Sequence, residues 1–158
     1  MKTIACIGCG TVGYATCLAL SSLGHAVVGI DTSMTARNAL AKKNFPCFSP
    51  DEVMLEGQLN CSTLDAVLIA LPTPFCPTRK ELVNDAIMSS VELIGHLCRQ
   101  KQDNQPMLII LKSTVSVGTS RKLFRAIQRH INDDDCQYQL FYHPEFLRAA
   151  NNEQDALH

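Results

Sequence analysis

An α/β fold, a doubly wound parallel sheet with helices on both faces in three layers, is what this sequence predicts, and three observations predict it. Apolar runs of five or six residues alternate with longer mixed segments, the mark of parallel strands buried on both faces and joined by helices. The first run leads into Gly8-Cys-Gly-Thr-Val-Gly13, a glycine turn that opens a helix. Three later runs end in short polar clusters, which such a sheet gathers at one edge.

The first strand spans 2–7. Gly8 permits the tight turn out of it, Gly10 lets the backbone approach a ligand without a Cβ in the way, and Gly13 lets the next helix pack close to the strand. That helix runs over 11–23 and stops at Gly24. A second strand, 26–30, closes on Asp31. Strand, turn, helix, strand and acid in this order make a Rossmann-type dinucleotide site. The N–H groups around Gly8, Gly10, Thr11, Val12 and Gly13 and the positive end of the helix dipole would take the pyrophosphate. Asp31 would accept both adenosine ribose hydroxyls and repel a 2′-phosphate, a preference for NAD over NADP. The competing reading is a tightly packed βαβ corner in which Asp31 is an ordinary solvated acid.

A helix is expected over 33–43. The connector Asn44-Phe-Pro-Cys-Phe-Ser-Pro-Asp51 carries two prolines and reads as a surface loop, followed by a weak strand near 59–62. The strand at 66–71 runs into Pro72-Thr-Pro-Phe-Cys-Pro77, which breaks regular structure where a cofactor crevice would lie. One helix is expected over 80–101, a strand at 107–111 followed by Lys112-Ser-Thr-Val-Ser-Val-Gly-Thr119, a helix over 118–131, and a strand at 138–142 followed by His143-Pro-Glu-Phe-Leu-Arg148. Arg121, Arg125 and Arg129 form a stripe on the helix at 118–131. With no aromatic residues interleaved for base stacking, it reads as a solvated face.

The chain has 158 residues, 46% of them hydrophobic, enough for one domain with a substantial core. A formal net charge of −1 provides no field to recruit nucleic acid or an acidic membrane. No apolar run approaches the roughly 20 residues that span a bilayer, and a strand begins too close to Met1 for a signal peptide, so a cytoplasmic location is expected. Eight cysteines invite a metal reading, but Cys6 and Cys9 straddle strand and turn, and no second pair or nearby histidine completes a set. No metal is expected.

With these segments in order, the chain resembles the N-terminal NAD-binding domain of the UDP-glucose/GDP-mannose dehydrogenases. The family's glycine fingerprint, strand-end acid, Pro-Thr-Pro turn, Lys-Ser-Thr segment and Pro-Glu-Phe-Leu-Arg segment correspond here to Gly8–Gly13, Asp31, Pro72–Pro74, Lys112–Thr119 and His143–Ala150, across essentially the whole chain. The resemblance implies an enzyme that oxidises the C6 alcohol of a nucleotide sugar to a carboxylate with two NAD through a cysteine thioester. By position it implies that Thr73, Ser113 and Thr114 line the cofactor and active-site edge, and that Glu145 serves as base for the attacking water; Thr114 and Glu145 are thus the catalytic candidates.

Several positions depart from the family pattern. Ala149 stands for a glutamate that approaches the cofactor, Ala150 for a glycine, Ser116 for a proline and His143 for an asparagine; Ala36 replaces a lysine, beside which Arg37 could reach the same phosphate or ribose. The stretch between the second helix and third strand is shortened. None of the eight cysteines has the family's Cys-x-Pro-Lys setting, so this polypeptide alone is not expected to complete the four-electron oxidation. The resemblance also places the dimer-forming central helix and the substrate domains outside residues 1–158, which leaves the oligomeric state and the sugar open. A degenerate NAD-binding or interaction module is the alternative. Another enzyme on the same scaffold, such as a methyltransferase with an adenosine-containing donor, fits the glycine turn but not the other segments.

Overall fold

The computed structural model describes residues 1–103, 105–131 and 136–144. In chain order the elements are β1 (Thr3–Ile7), α1 (Thr11–Ser22), β2 (Ala26–Ile30), α2 (Met34–Ala41), β3 (Cys47–Phe48), α3 (Pro50–Met54) and β4 (Ala66–Ile69). A small hairpin of β5 (Phe75–Cys76) and β6 (Glu81–Leu82) follows, then α4 (Asp85–Ser89), α5 (Val91–Arg99), β7 (Met107–Leu111), α6 (Thr119–His130) and β8 (Tyr138–Tyr142). Six strands pair in the order β3-β2-β1-β4-β7-β8, every pair parallel.

Because β1 connects outward to β2 and β3 on one side while β4, β7 and β8 extend on the other, the order reverses between β1 and β4. A crevice opens at the carboxyl ends of such a pair. The central strands β1, β2 and β4 are buried on both faces, as their apolar runs require, while β8 at the edge is half-exposed. On one face Ala5, Val67, Ile69, Ile109 and Leu111 pack with Val53 of α3, Ile87 of α4, Ile94 and Leu97 of α5, and Leu123 and Ile127 of α6. On the other, Ile4, Cys6, Val27 and Leu68 pack with Cys17 of α1 and Leu40 of α2.

Three expectations need correction. The stretch 44–51 is not simply a loop: Cys47 and Phe48 add a sixth parallel strand on β2, and Ser49 starts α3 through a capping box with Glu52 and Pro50 at the first helical position. No strand forms at 59–62, where the Asn60 side chain accepts from Ser62 N and Leu64 N bonds to Cys61 O, so local turn chemistry prevails. The helix expected over 80–101 is divided. Lys80 has φ +52° and Glu81–Leu82 turn back to pair with Phe75–Cys76, so helix begins only at Asp85, and it is interrupted again at Ser90, whose hydroxyl donates to Ile87 O.

Candidate functional site

The carboxyl ends of the strands are tied edge to edge. Gly8 N donates to Ile30 O, Ala70 N to Ile7 O, Lys112 N to Ile69 O and His143 N to Leu111 O, each at 2.8 to 2.9 Å. Segments far apart in sequence are thereby set in one row above the reversal between β1 and β4. There a cavity of about 790 Å³ opens, within the range of small-molecule and cofactor pockets. Gly8, Gly10, Thr11, Val12, Asp31, Thr73, Ser113 and Thr114 all line it, so eight of the sequence-predicted site residues meet at one place.

The three glycines have distinct environments. Gly8 has φ +92°, and a Cβ there would lie 2.5 Å from Ala70 O, the neighbouring strand end. A Cβ on Gly13 would collide with the Gly8 carbonyl, so this glycine sets the spacing of α1 against the turn and does not line the cavity. On Gly10 a Cβ would meet nothing within 4 Å: it would project into open space at the amino end of α1. No side chain caps α1, and the first N–H groups of any helix lack intrahelical acceptors. A cradle of backbone donors, open where only a Cβ would fill it, suits a pyrophosphate.

Asp31 stands across from these donors. Its Oδ2 accepts from Cys9 N at 2.6 Å and its Oδ1 from Ser33 N at 2.7 Å, so the acid is fixed between the glycine turn and the start of α2. Each carboxylate oxygen keeps a further lone pair for a hydroxyl donor. Arg37 is placed differently from the phosphate or ribose role expected of it. Its Nη1 donates to the backbone carbonyls of Asp31 at 2.7 Å and Thr32 at 2.9 Å, and it does not line the cavity. On the opposite wall, Thr73 Oγ1 donates to Thr114 O and Ser113 Oγ to Leu71 O, both at 2.7 Å, which locks the Pro-Thr-Pro turn onto the segment after β7. Glu145, Arg148, Ala149 and Ala150 lie outside the described residues.

Other walls of the cavity come from residues the sequence did not single out as site residues. Pro50 and Met54 of α3 close one side; Ser89, Ser90 and Glu92 at the junction of α4 and α5, with the buried Lys112, close another. The signal for α3 was present as Ser49-Pro-Asp-Glu52, a cap followed by proline and acids. Under the turn, hydrogen bonds with Cys17 and Cys9, helped by burial, push the Cys6 thiol up, so it packs as a neutral core group. None of the cysteines lines the cavity. Among the described residues, no helix is long and apolar enough to cross a membrane.

Comparisons with known proteins bear on this geometry. The model of the UDP-glucose/GDP-mannose dehydrogenase family, NAD binding domain, matches residues 2–158. UDP-glucose 6-dehydrogenase YwqF of Bacillus subtilis is 28% identical over 169 aligned residues, covering 98% of this chain and 37% of that protein. A UDP-glucose dehydrogenase structure from Pyrobaculum islandicum superposes with a TM-score of 0.79 at 23% identity, and a GDP-mannose dehydrogenase from Pseudomonas aeruginosa with 0.77 at 22%. Each superposition covers 98% of this chain and 38% of the other, so the likeness is one of fold over a little more than a third of the relatives' length.

Proposed function

The chain belongs to the UDP-glucose/GDP-mannose dehydrogenase family as its NAD-binding domain, its cofactor is NAD, and from that membership we propose that it serves the oxidation of a nucleotide-sugar C6 alcohol by holding NAD in the crevice between β1 and β4. The observation that carries this reading is the meeting of the glycine turn, Asp31, Thr73 and Thr114 around one cavity. NAD supplies the hydride acceptor. The chain's own residues do the positioning: the N–H groups of Gly10, Thr11 and Val12 take the pyrophosphate, Asp31 takes the adenosine ribose, and Thr73, Ser113 and Thr114 form the edge at which the reacting carbon is presented.

The thioester half of the oxidation is assigned elsewhere. It needs a thiolate beside the cavity, and no cysteine lines it. Glu145, by its place in the His143-Pro-Glu segment, is the proposed base for water at that later stage, acting with a cysteine beyond residues 1–158. Calorimetric titration tests the first half. NAD is expected to bind and NADP to bind at least about tenfold more weakly, because Asp31 would face the 2′-phosphate. Equal affinity for the two would remove Asp31 from the ribose, and no heat with millimolar NAD would remove the cavity from the reading.

A further inference from the structure

Two carboxylates line the cavity, and the pyrophosphate and ribose roles use only one of them. Asp31 is the first. Its own N–H donates to Phe48 O at 3.0 Å, which sets it beside the residues that lead into α3. Glu92, in the first turn of α5, is the second. Val53 of α3 packs with Leu93 and Ile94 of α5 in one core cluster, so the α3 and α5 walls converge at the end of the cavity next to Asp31. Pro50 and Met54 from α3, with Ala86 and Leu93 from α4 and α5, make that end apolar.

The other polar side chains of the α4–α5 wall are engaged within their own helix. Ser89 Oγ donates to Asp85 O at 2.9 Å, and Ser90 Oγ to Ile87 O at 2.7 Å. Among the described residues the Glu92 carboxylate has no hydrogen bond and no ion pair. It is a free acceptor at the rim of an apolar slot.

We propose that this slot seats the adenine of the cofactor and that Glu92 selects the base, accepting a hydrogen bond from its exocyclic 6-amino group. The inference rests on the proposed binding of NAD in the crevice. The base is attached to the ribose assigned to Asp31, so it lies within one sugar's reach of that acid. A purine has flat apolar faces, which suit Pro50, Leu93 and the polarisable thioether of Met54. An ionised carboxylate only accepts, so it favours an amino group at the six position and repels a carbonyl oxygen there. A glutamine in its place carries both donors and an acceptor and would meet either base.

Calorimetric titration with NAD and with nicotinamide hypoxanthine dinucleotide, which has a carbonyl in place of the 6-amino group, provides the test. The unsubstituted chain should bind NAD at least about tenfold more tightly. Glu92→Gln should bring the two affinities within about twofold, while its melting temperature without ligand stays within about 2 °C of the unsubstituted value. A preference that survives Glu92→Gln leaves the acid only its place in the first turn of α5 and overturns the proposal. Equal affinity of the unsubstituted chain for the two dinucleotides overturns it without any variant. So does a preference for the hypoxanthine form, whose N1 carries a proton that adenine lacks. Failure to bind NAD at all would instead remove the parent reading, and this one with it.

Discussion

Gly10 and Gly13, three positions apart, do different work, and substitution separates fold from binding. Gly10→Ala adds a methyl group where nothing lies within 4 Å, so stability should stay within about 1 kcal/mol while NAD affinity falls at least about tenfold. Gly13→Ala drives a Cβ into the Gly8 carbonyl and should cost about 3 kcal/mol or more, seen as a large drop in melting temperature before any ligand is added. Asp31 is harder to divide. Its two backbone hydrogen bonds make it part of the turn as well as a ribose acceptor. Asp31→Asn keeps an acceptor oxygen and should lower NAD affinity by roughly tenfold to a hundredfold while narrowing the gap to NADP, measured by titration beside a melting curve. The sequence made the turn and the acid legible because glycine spacing and a strand-end carboxylate are local signals. The fate of Arg37 was not legible, since only the folded backbone shows that two carbonyls lie within its reach.

At the scale of elements, long apolar runs were easy to read and short ones were not. β1, β2, β7 and β8 appear where their runs place them, because short, mostly apolar segments between helices leave few alternatives to a parallel strand. β3 has two residues and depends on β2 for its register, so no pattern inside Cys47–Phe48 could declare it. The division at 80–90 escaped for a related reason: the hairpin that displaces the helix is a pairing with residues 75–76, not a local preference. The β1 and β4 starts are held by Asp65, whose carboxylate accepts from Lys2 Nζ at 2.8 Å and Thr3 N at 2.7 Å. Burial alone would raise this acid, but the Lys2 hydrogen bond and charge, with Thr3 N–H and Lys101, hold it below the usual carboxylate value. Its contribution to stability is therefore complete above the unfolded value near pH 4 and disappears as pH falls through the lower folded value. Asp65→Asn should remove that acid-side component, making the fall in melting temperature below about pH 4 shallower than in the unsubstituted chain.

For the whole molecule, the doubly wound order and its reversal decide where ligand can bind, and both follow from the alternation of strands and helices in the sequence. The extent of the cavity does not. Its α3 and α4–α5 walls depend on elements the pattern alone did not resolve. Saturating NAD at about a hundredfold above its dissociation constant should stabilise the whole domain by about 2.7 kcal/mol, read as a rise in melting temperature. Adding UDP-glucose to the NAD-bound chain should release no NADH over many turnovers. Sustained conversion of the C6 alcohol to the carboxylate, with two NADH per sugar, would show that a cysteine within residues 1–158 carries the thioester. At the opposite end of the sheet, Lys101 is held with its side chain 1% exposed, its ammonium bonded to Leu64 O and paired with Asp103. An amine-reactive footprinting reagent should therefore label the exposed lysines first and reach Lys101 only when that end of the domain opens, so its acylation rate is a built-in clock for unfolding.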